Sequence, residues 1–441
     1  MKQFCFVLLV ISNAAFAQKQ IPGVQQQVWS LTEVMFHDVV NPPAAARFYS
    51  YAVLTGYEII SELDSTLPAF QKKLKDYPVF VSSADQNKIN KELAALYGIL
   101  ETGKNMIPSG YLLEEKQKDL LNDFSHLTKE EVEISVAFAK GVSKKIVQYS
   151  KTDGYFKLST LTRYKPLEGE GYWQPTPPEY MAAVEPNWKT IRTFFLDSPQ
   201  QCATKSMLPF DKRPESAFYQ LANEVYTTSR SLTEDQKLVA NFWDCNPFAV
   251  QFQGHMSVGL KKISPGGHWM GITGIACRKA GLNFVNTLLL HTVVALSLHD
   301  AFVCCWDEKF RTNRIRPETV INRYIDEKWQ PILQTPPFPE YPSGHSVVST
   351  AAAEVLTHFL GDDFTFTDTV ETYIGLPARR FNSFYQAAAE ARISRLYGGI
   401  HFRDAIENGA EQGEELGKLA IRILETEPVL PKTISVKSTK K

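Results

Sequence analysis

The sequence predicts an all-α fold, and three observations carry that expectation. Apolar residues recur at spacings of three and four, as the buried stripe of a helix requires. Two segments open with a Thr-x-x-Glu or Thr-x-x-Gln capping box. In the N-terminal part no strand-like alternation of any length competes with these patterns.

Taken in order, Asn41-Pro42-Pro43 can start a helix, with Phe48, Tyr51 and Ala52 at helical spacing before Ile59. Thr128 and Glu131 cap a second, in which Ile134, Phe138 and Val142 recur every four residues. Residues 155–215 differ. They hold Tyr172-Trp173-Gln174-Pro175-Thr176-Pro177-Pro178 and further prolines, which predicts a long ordered connection without regular structure. Helices resume at Glu215, and Thr233 and Gln236 form another capping box before Val239, Phe242 and Trp243. Residues 284–310 read as one long helix with a very apolar middle. His291, His299 and Asp300 interrupt it, which favours a buried bundle helix over a membrane span. Helices over 346–360, 379–397 and 402–425 follow, and the polar, basic stretch 431–441 is expected to be disordered. No internal repeat is present. The organisation predicted is a helical region with its proline- and aromatic-rich connection over 18–214, a helical bundle over 215–425, and a polar tail over 426–441.

With 441 residues and a formal net charge of −1, the chain has no overall basic field for nucleic acid or an anionic membrane, so any positive site must be a local focus. Lys2, the apolar run 4–11 and Ala15-Phe16-Ala17 fit a signal peptide cleaved after Ala17, which predicts a secreted or periplasmic protein with no transmembrane span in the mature chain. The run is too short to cross a bilayer, which takes roughly 20 apolar residues. Cleavage removes Cys5 and leaves Cys202, Cys245, Cys277, Cys304 and Cys305. An odd number with no zinc-like spacing reads as buried small hydrophobes rather than a disulfide framework.

Three segments carry the chemistry. Lys309 precedes Arg316-Pro317, Pro342-Ser343-Gly344-His345 comes next, and Ser394-Arg395 precedes His401. Two guanidiniums offer forked donors to oxygen, and a lysine adds a point charge. A serine hydroxyl and a glycine amide complete a set of donors for a tetrahedral oxyanion. His345 and His401 each stand where a helix is expected to begin, and free amides there also favour an anion. Each piece alone is weak, since Pro-Ser-Gly-His is an ordinary helix-opening turn and Ser-Arg an ordinary solvated face. Ten fixed residues in this order, at roughly one in twenty per position, are a strong combined signal.

Together they resemble the three-part signature shared by the vanadium-dependent haloperoxidases and the type 2 phosphatidic acid phosphatases. The signature spans residues 309–404. The resemblance implies a chloroperoxidase-like helical bundle. It implies that Lys309, Arg316, Ser343, Gly344 and Arg395 hold vanadate, or phosphate in the same site. It further implies that His401 bonds the central atom and that His345 is the acid–base group. As a haloperoxidase the chain would use hydrogen peroxide and a halide, with Lys309 polarising the bound peroxide. As a phosphatase, His401 would attack the phosphorus of a phosphate ester and His345 would protonate the leaving oxygen. One position departs from the family pattern: Ala405 stands where an aspartate is usual, and Asp404 precedes it. Asp404 either orients the His401 ring or merely complements the helix dipole.

Length and the lack of several spanning helices favour the haloperoxidase branch over the phosphatases. A secreted oxyanion-binding protein without turnover is the third reading, and retention of both histidines counts against it. His299, Phe302, Trp306 and Lys309 share one helix face. Trp306 and Phe338 match positions that are also aromatic in chloroperoxidases, so they are expected to wall a halide pocket, with core packing as the alternative. His299 reads as a satisfied core histidine, and Asp300 falls on the opposite face from Lys309. His255, His268, His291 and Tyr172-Trp173 are open candidates for the entrance. Iodide, the easiest halide to oxidise, is the expected substrate, with bromide second.

Overall fold

The computed structural model describes residues 23–425 apart from 68, 81–85, 254–255 and 260. The proposed signal segment, the polar tail and His255 therefore lie outside the described residues. The chain forms thirteen α-helices among those residues. Five come first: α1 (Val24–His37), α2 (Pro42–Glu62), α3 (Lys91–Met106), α4 (Leu113–Asp123) and α5 (Lys129–Lys151). The Asn41 side chain accepts the Ala44 amide at the start of α2, and the Thr128/Glu131 box closes in both directions on α5. The following sixty-odd residues hold only short 3₁₀ turns, over Tyr155–Thr160 and Trp188–Thr190. They are nonetheless fixed, with Trp173 and Trp188 buried.

Then come α6 (Ala217–Arg230), α7 (Glu234–Phe242), α8 (Pro265–Ala280), α9 (Phe284–Thr312), α10 (Pro317–Tyr324), α11 (Gly344–Leu360), α12 (Phe384–Tyr397) and α13 (Arg403–Glu425). Two small antiparallel pairs interrupt them, β1 (Val250–Gln253) with β2 (Met256–Gly259) and β3 (Phe366–Asp368) with β4 (Arg379–Phe381). The second pair corrects the helix expected from 379. Phe381 pairs in register with Phe366, whose ring packs on Phe381 and on Phe384, so the backbone stays extended until Ser383 caps α12 through the Gln386 amide.

The axis of the fold is α9. Its apolar stretch is long enough to span a bilayer, but that stretch is wholly buried within the protein. It packs against α2 and α8 on one side and α11 and α13 on the other, so one apolar core unites the early helices with the later bundle. On α13, Gly409, Gly413 and Gly417 stand four apart and face α11. A Cβ at Gly413 would lie 2.3 Å from the Val347 carbonyl oxygen, and one at Gly417 2.5 Å from Glu354 Cβ. These glycines let α13 close on α11. The start of α13, next to His401, is thereby drawn to Ser343, whose amide donates to the Ala405 carbonyl at 3.0 Å.

Candidate active site

The three signature segments converge where several helices begin or end. Lys309 lies in the last turn of α9, after which Asn313 takes a left-handed conformation and turns the chain. Arg316 is the N-cap residue of α10, and Ser343 that of α11, placing Gly344 and His345 in the first turn. Arg395 sits in the last turn of α12. His401 occupies the short link to α13, after Gly399 turns with φ of 78°. Lys309, Arg316, Ser343, Arg395 and His401 are all 3% exposed or less, a burial that isolated charges do not tolerate without compensation.

Glu340 holds His401. Its Oε1 accepts from His401 Nδ1 at 2.8 Å and from the Phe402 amide at 2.9 Å. With the Nδ1 proton committed to a carboxylate, Nε2 carries the ring's lone pair and accepts from Arg316 Nη1 at 3.3 Å. This corrects the reading of Asp404, which does not reach the ring. Asp404 instead accepts from both terminal nitrogens of Arg314, at 2.7 and 2.8 Å. The buried Arg314 guanidinium lies between the two carboxylates, its Nε 3.4 Å from Glu340 Oε2. Glu340 and Arg314 both escaped the sequence reading. The available signal was a charged residue inside the otherwise apolar, proline-rich run before Ser343. Burial raises the Glu340 carboxyl, and the Arg314, Arg316 and Lys309 charges oppose that rise.

The cations that face no carboxylate directly are the fit test for an anion. Lys309 Nζ donates to the carbonyls of Pro339, Glu340 and Pro342 at 3.0, 3.0 and 2.5 Å. Arg316 donates to the carbonyls of Phe338 and Ile400, and its Nη2 is buried without a partner. Among the described residues, Arg395 donates to Ser394 Oγ and the Ala240 carbonyl alone. Nearby Asp244 is engaged by Lys262. Burial, reinforced by neighbouring positive charge at Lys309, pushes all three cations down, Lys309 to about 7 and Arg316 to about 10. Burial and the same cationic neighbourhood lower His345 and His401 well below the ordinary imidazole range. Five basic groups depressed together mark a site short of negative charge, and an oxyanion supplies it.

The cavity between them, about 40 Å³, is lined by Gly344, His345, Arg395 and His401, with Trp306, Phe302 and Phe338 on one wall. A water-sized group needs roughly 10–15 Å³ of such space, so a few oxygens fit. A Cβ on Gly344 would meet no protein atom closer than 3.8 Å, so protein packing does not demand glycine there. The close approach it permits is to whatever fills the cavity. Lys309, Arg316 and Ser343 stand behind this lining, while Arg316 Nη1 still reaches the His401 ring. Ser343 Oγ accepts the Ser346 amide at 3.4 Å as the α11 cap. His345 Nε2 has no partner among the described residues, and the ring is held by a hydrogen bond to the Trp243 backbone. Vanadate or phosphate fits this set: unpaired donors, a nitrogen lone pair and a free acid–base nitrogen around one small space.

Trp306 is both wall and core. It packs against Phe338 at 4.9 Å and Phe302 at 5.5 Å between ring centres, and its indole N–H donates to the Val184 carbonyl. His299 Nε2 bonds the Arg192 carbonyl within the core, and Asp300 accepts the amides of Phe194, Phe195 and Leu196, pinning the long connection to α9. His291 bonds the Thr287 carbonyl within α9. Tyr172 forms an isolated antiparallel bridge with Arg314, and the Trp173 amide donates to the Asn313 carbonyl. All five cysteines of the described residues are buried and free.

Comparison with known proteins agrees with this geometry. A family model for the second helical-bundle domain of vanadium chloroperoxidase matches residues 289–427. A solved structure of a bacterial vanadium-dependent iodoperoxidase is 41% identical, with a TM-score of 0.85, covering 90% of this chain and 95% of the other. Two bacterial vanadium-dependent chloroperoxidase structures share the fold. The holo form has 14% identity and a TM-score of 0.68 over 92% and 98% of the chains, and the apo form 16% and 0.65 over 87% and 94%. No curated protein matches the sequence. The chain belongs to the vanadium-dependent haloperoxidase family.

Proposed function

We propose that this enzyme uses hydrogen peroxide to oxidise iodide, and bromide more slowly, to a hypohalous species, and that it is exported by its N-terminal segment. The observation that carries the reading is the buried group of Lys309, Arg316 and Arg395 beside two imidazoles, His345, whose Nε2 is unpartnered among the described residues, and His401, whose Nε2 meets only Arg316 Nη1. The 41% identical structure, an iodoperoxidase, supports the choice of halide.

When bound, vanadate supplies a Lewis-acidic centre that activates peroxide towards a halide. The chain's own residues do the rest. His401 would hold vanadate through Nε2, with Glu340 fixing the ring through Nδ1. Arg316, Arg395 and the Gly344 amide would hold its oxygens, and Lys309 would add positive charge from behind. His345, kept unprotonated by burial and by Arg395, would take a proton from peroxide at Nε2 and return one later. Trp306, Phe302 and Phe338 keep that wall free of water.

The test is the purified mature protein assayed with and without orthovanadate for peroxide-dependent iodide oxidation and for phosphate-ester hydrolysis. Iodide oxidation should appear only with vanadate and fall when phosphate competes. Ester hydrolysis inhibited by vanadate, without halide oxidation, would move the chain to the phosphatase reading. Export is checked by sequencing the N-terminus of the native protein, which should begin at Gln18.

A further inference from the structure

Beside the oxyanion pocket lies a second constellation that the oxidation of halide does not use. Cys245 stands three residues beyond α7, His268 in the first turn of α8, and Glu371 in the 3₁₀ turn Val370–Ile374. All three are buried. Cys245 Sγ is 3.4 Å from His268 Nδ1 and 3.8 Å from Glu371 Oε1, and His268 Nδ1 is 3.1 Å from Glu371 Oε1. Zinc takes sulfur at about 2.3 Å and nitrogen or oxygen at about 2.0–2.2 Å, so neighbouring ligand atoms of a tetrahedral site stand about 3.3–3.6 Å apart. The observed triangle lies within a few tenths of an ångström of those edges.

A second feature points the same way. His268 turns its other nitrogen, Nε2, to Asp368 Oδ2 at 2.7 Å, and Asp368 Oδ1 is itself fixed by the Val370 amide. A carboxylate behind a histidine, orienting the ring so that the opposite nitrogen faces a cation, is the usual support of a zinc-bound imidazole. Trp243 stacks on the His268 ring with 4.6 Å between centres and holds its plane. Cys245 also borders the oxyanion cavity, which gives a path for entry.

We propose that Cys245, His268 and Glu371 form a binding site for a thiolate-preferring divalent cation of the zinc class, distinct from the vanadate site. Two carboxylates flanking a histidine also make a stable cluster without metal, so the experiment must separate the two. The bound ion would tie the loop after α7 to α8 and to the 370–374 turn. That loop carries the Trp243 backbone group that holds His345, so the metal would act on the acid–base histidine by position rather than by contact.

The test uses the untagged full chain, produced in medium supplemented with Zn²⁺ or with Co²⁺ and without vanadate. Elemental analysis should find one metal ion per chain. The cobalt form should show thiolate-to-cobalt charge-transfer absorption together with the intense visible bands of a four-coordinate ion. Cys245→Ser should abolish the charge-transfer band, and Glu371→Gln should lower metal content. If Cys245→Ser does not fold, the wild-type cobalt spectrum decides alone. Folded wild-type protein that carries no stoichiometric metal, or that binds cobalt without a thiolate band, overturns the proposal.

Discussion

Replacing Lys309 by glutamine should weaken vanadate binding by an amount that depends on pH in a defined way. Burial pushes the Lys309 ammonium down to about 7 in the free protein. An anion roughly 5 Å away, at an effective dielectric constant of about 20, stabilises that ammonium by about 3 kcal/mol. That corresponds to a little over two pH units, so the group should titrate near 9 once the anion is bound. The sign follows from linkage. The bound state holds the proton more tightly than the free state, so the contribution of Lys309 to affinity is complete below pH 7 and is lost between about 7 and 9. At pH 6, Lys309→Gln should therefore bind vanadate a few hundredfold more weakly than wild type. Above pH 7 the gap should shrink about tenfold per unit. Ionisation of vanadate itself affects both proteins equally and cancels in the ratio. Glutamine keeps amide donors for the carbonyls of Pro339, Glu340 and Pro342. Equilibrium dialysis at steps from pH 6 to 10 gives the ratio directly. A ratio as large at pH 9 as at pH 6 would refute the argument, because Lys309 would then stay charged despite its burial.

Four further outcomes follow from the contacts. His401→Ala should abolish tight vanadate binding, whereas His345→Ala should still bind vanadate but turn over slowly; equal retention in dialysis would refute this division of roles. Glu340→Gln should weaken vanadate binding roughly 10–100-fold, the range for a group that orients a ligand. Asp404→Asn should leave affinity within a few-fold and lower the melting temperature instead, since it breaks one of the bonds to buried Arg314. Trp306→Phe keeps a ring in the core but loses the bond to Val184 and part of the wall. It should reduce bromide oxidation more than iodide oxidation at saturating vanadate, and an equal fall in both would leave Trp306 as packing alone.

The parts of this fold legible in the sequence were those governed by local chemistry. The Thr128 and Thr233 capping boxes and the Asn41 cap are decided within four residues, and each closed as the spacing predicts. The long apolar helix was legible because His299 and Asp300 marked it as interior, and both prove to be buried partners of the 192–196 backbone. The extended stretch at 379–381 was not legible, because it depends on Phe366, fifteen residues away, and on rings that meet only after folding. The signature residues announced the site because their spacing persists in the sequence. Glu340 did not announce itself. Its partner lies sixty-one residues downstream, and nothing in its neighbourhood shows that a carboxylate between prolines will meet a histidine.

Glu340 also bears on the one position where the chain departs from its family pattern. With Ala405 in place of the usual aspartate, the apparent substitute was Asp404, one residue earlier on the same helix. The structure gives Asp404 a different task. Both of its oxygens bind Arg314, and Arg314 in turn lies against the buried Glu340 carboxyl. Burial alone would drive Glu340 towards its neutral form, and a neutral acid there would orient His401 less firmly; the Arg314 charge opposes that shift. An unpaired Arg314 would be a buried cation beside a site already crowded with positive charge. Asp404 relieves that cost while leaving Arg314 free to face Glu340. Asp404, Arg314 and Glu340 thus form a relay of three side chains that ends on His401 Nδ1. Asp404 therefore influences the vanadium-binding nitrogen only through the arginine, and that is why its replacement should register in stability before it registers in binding.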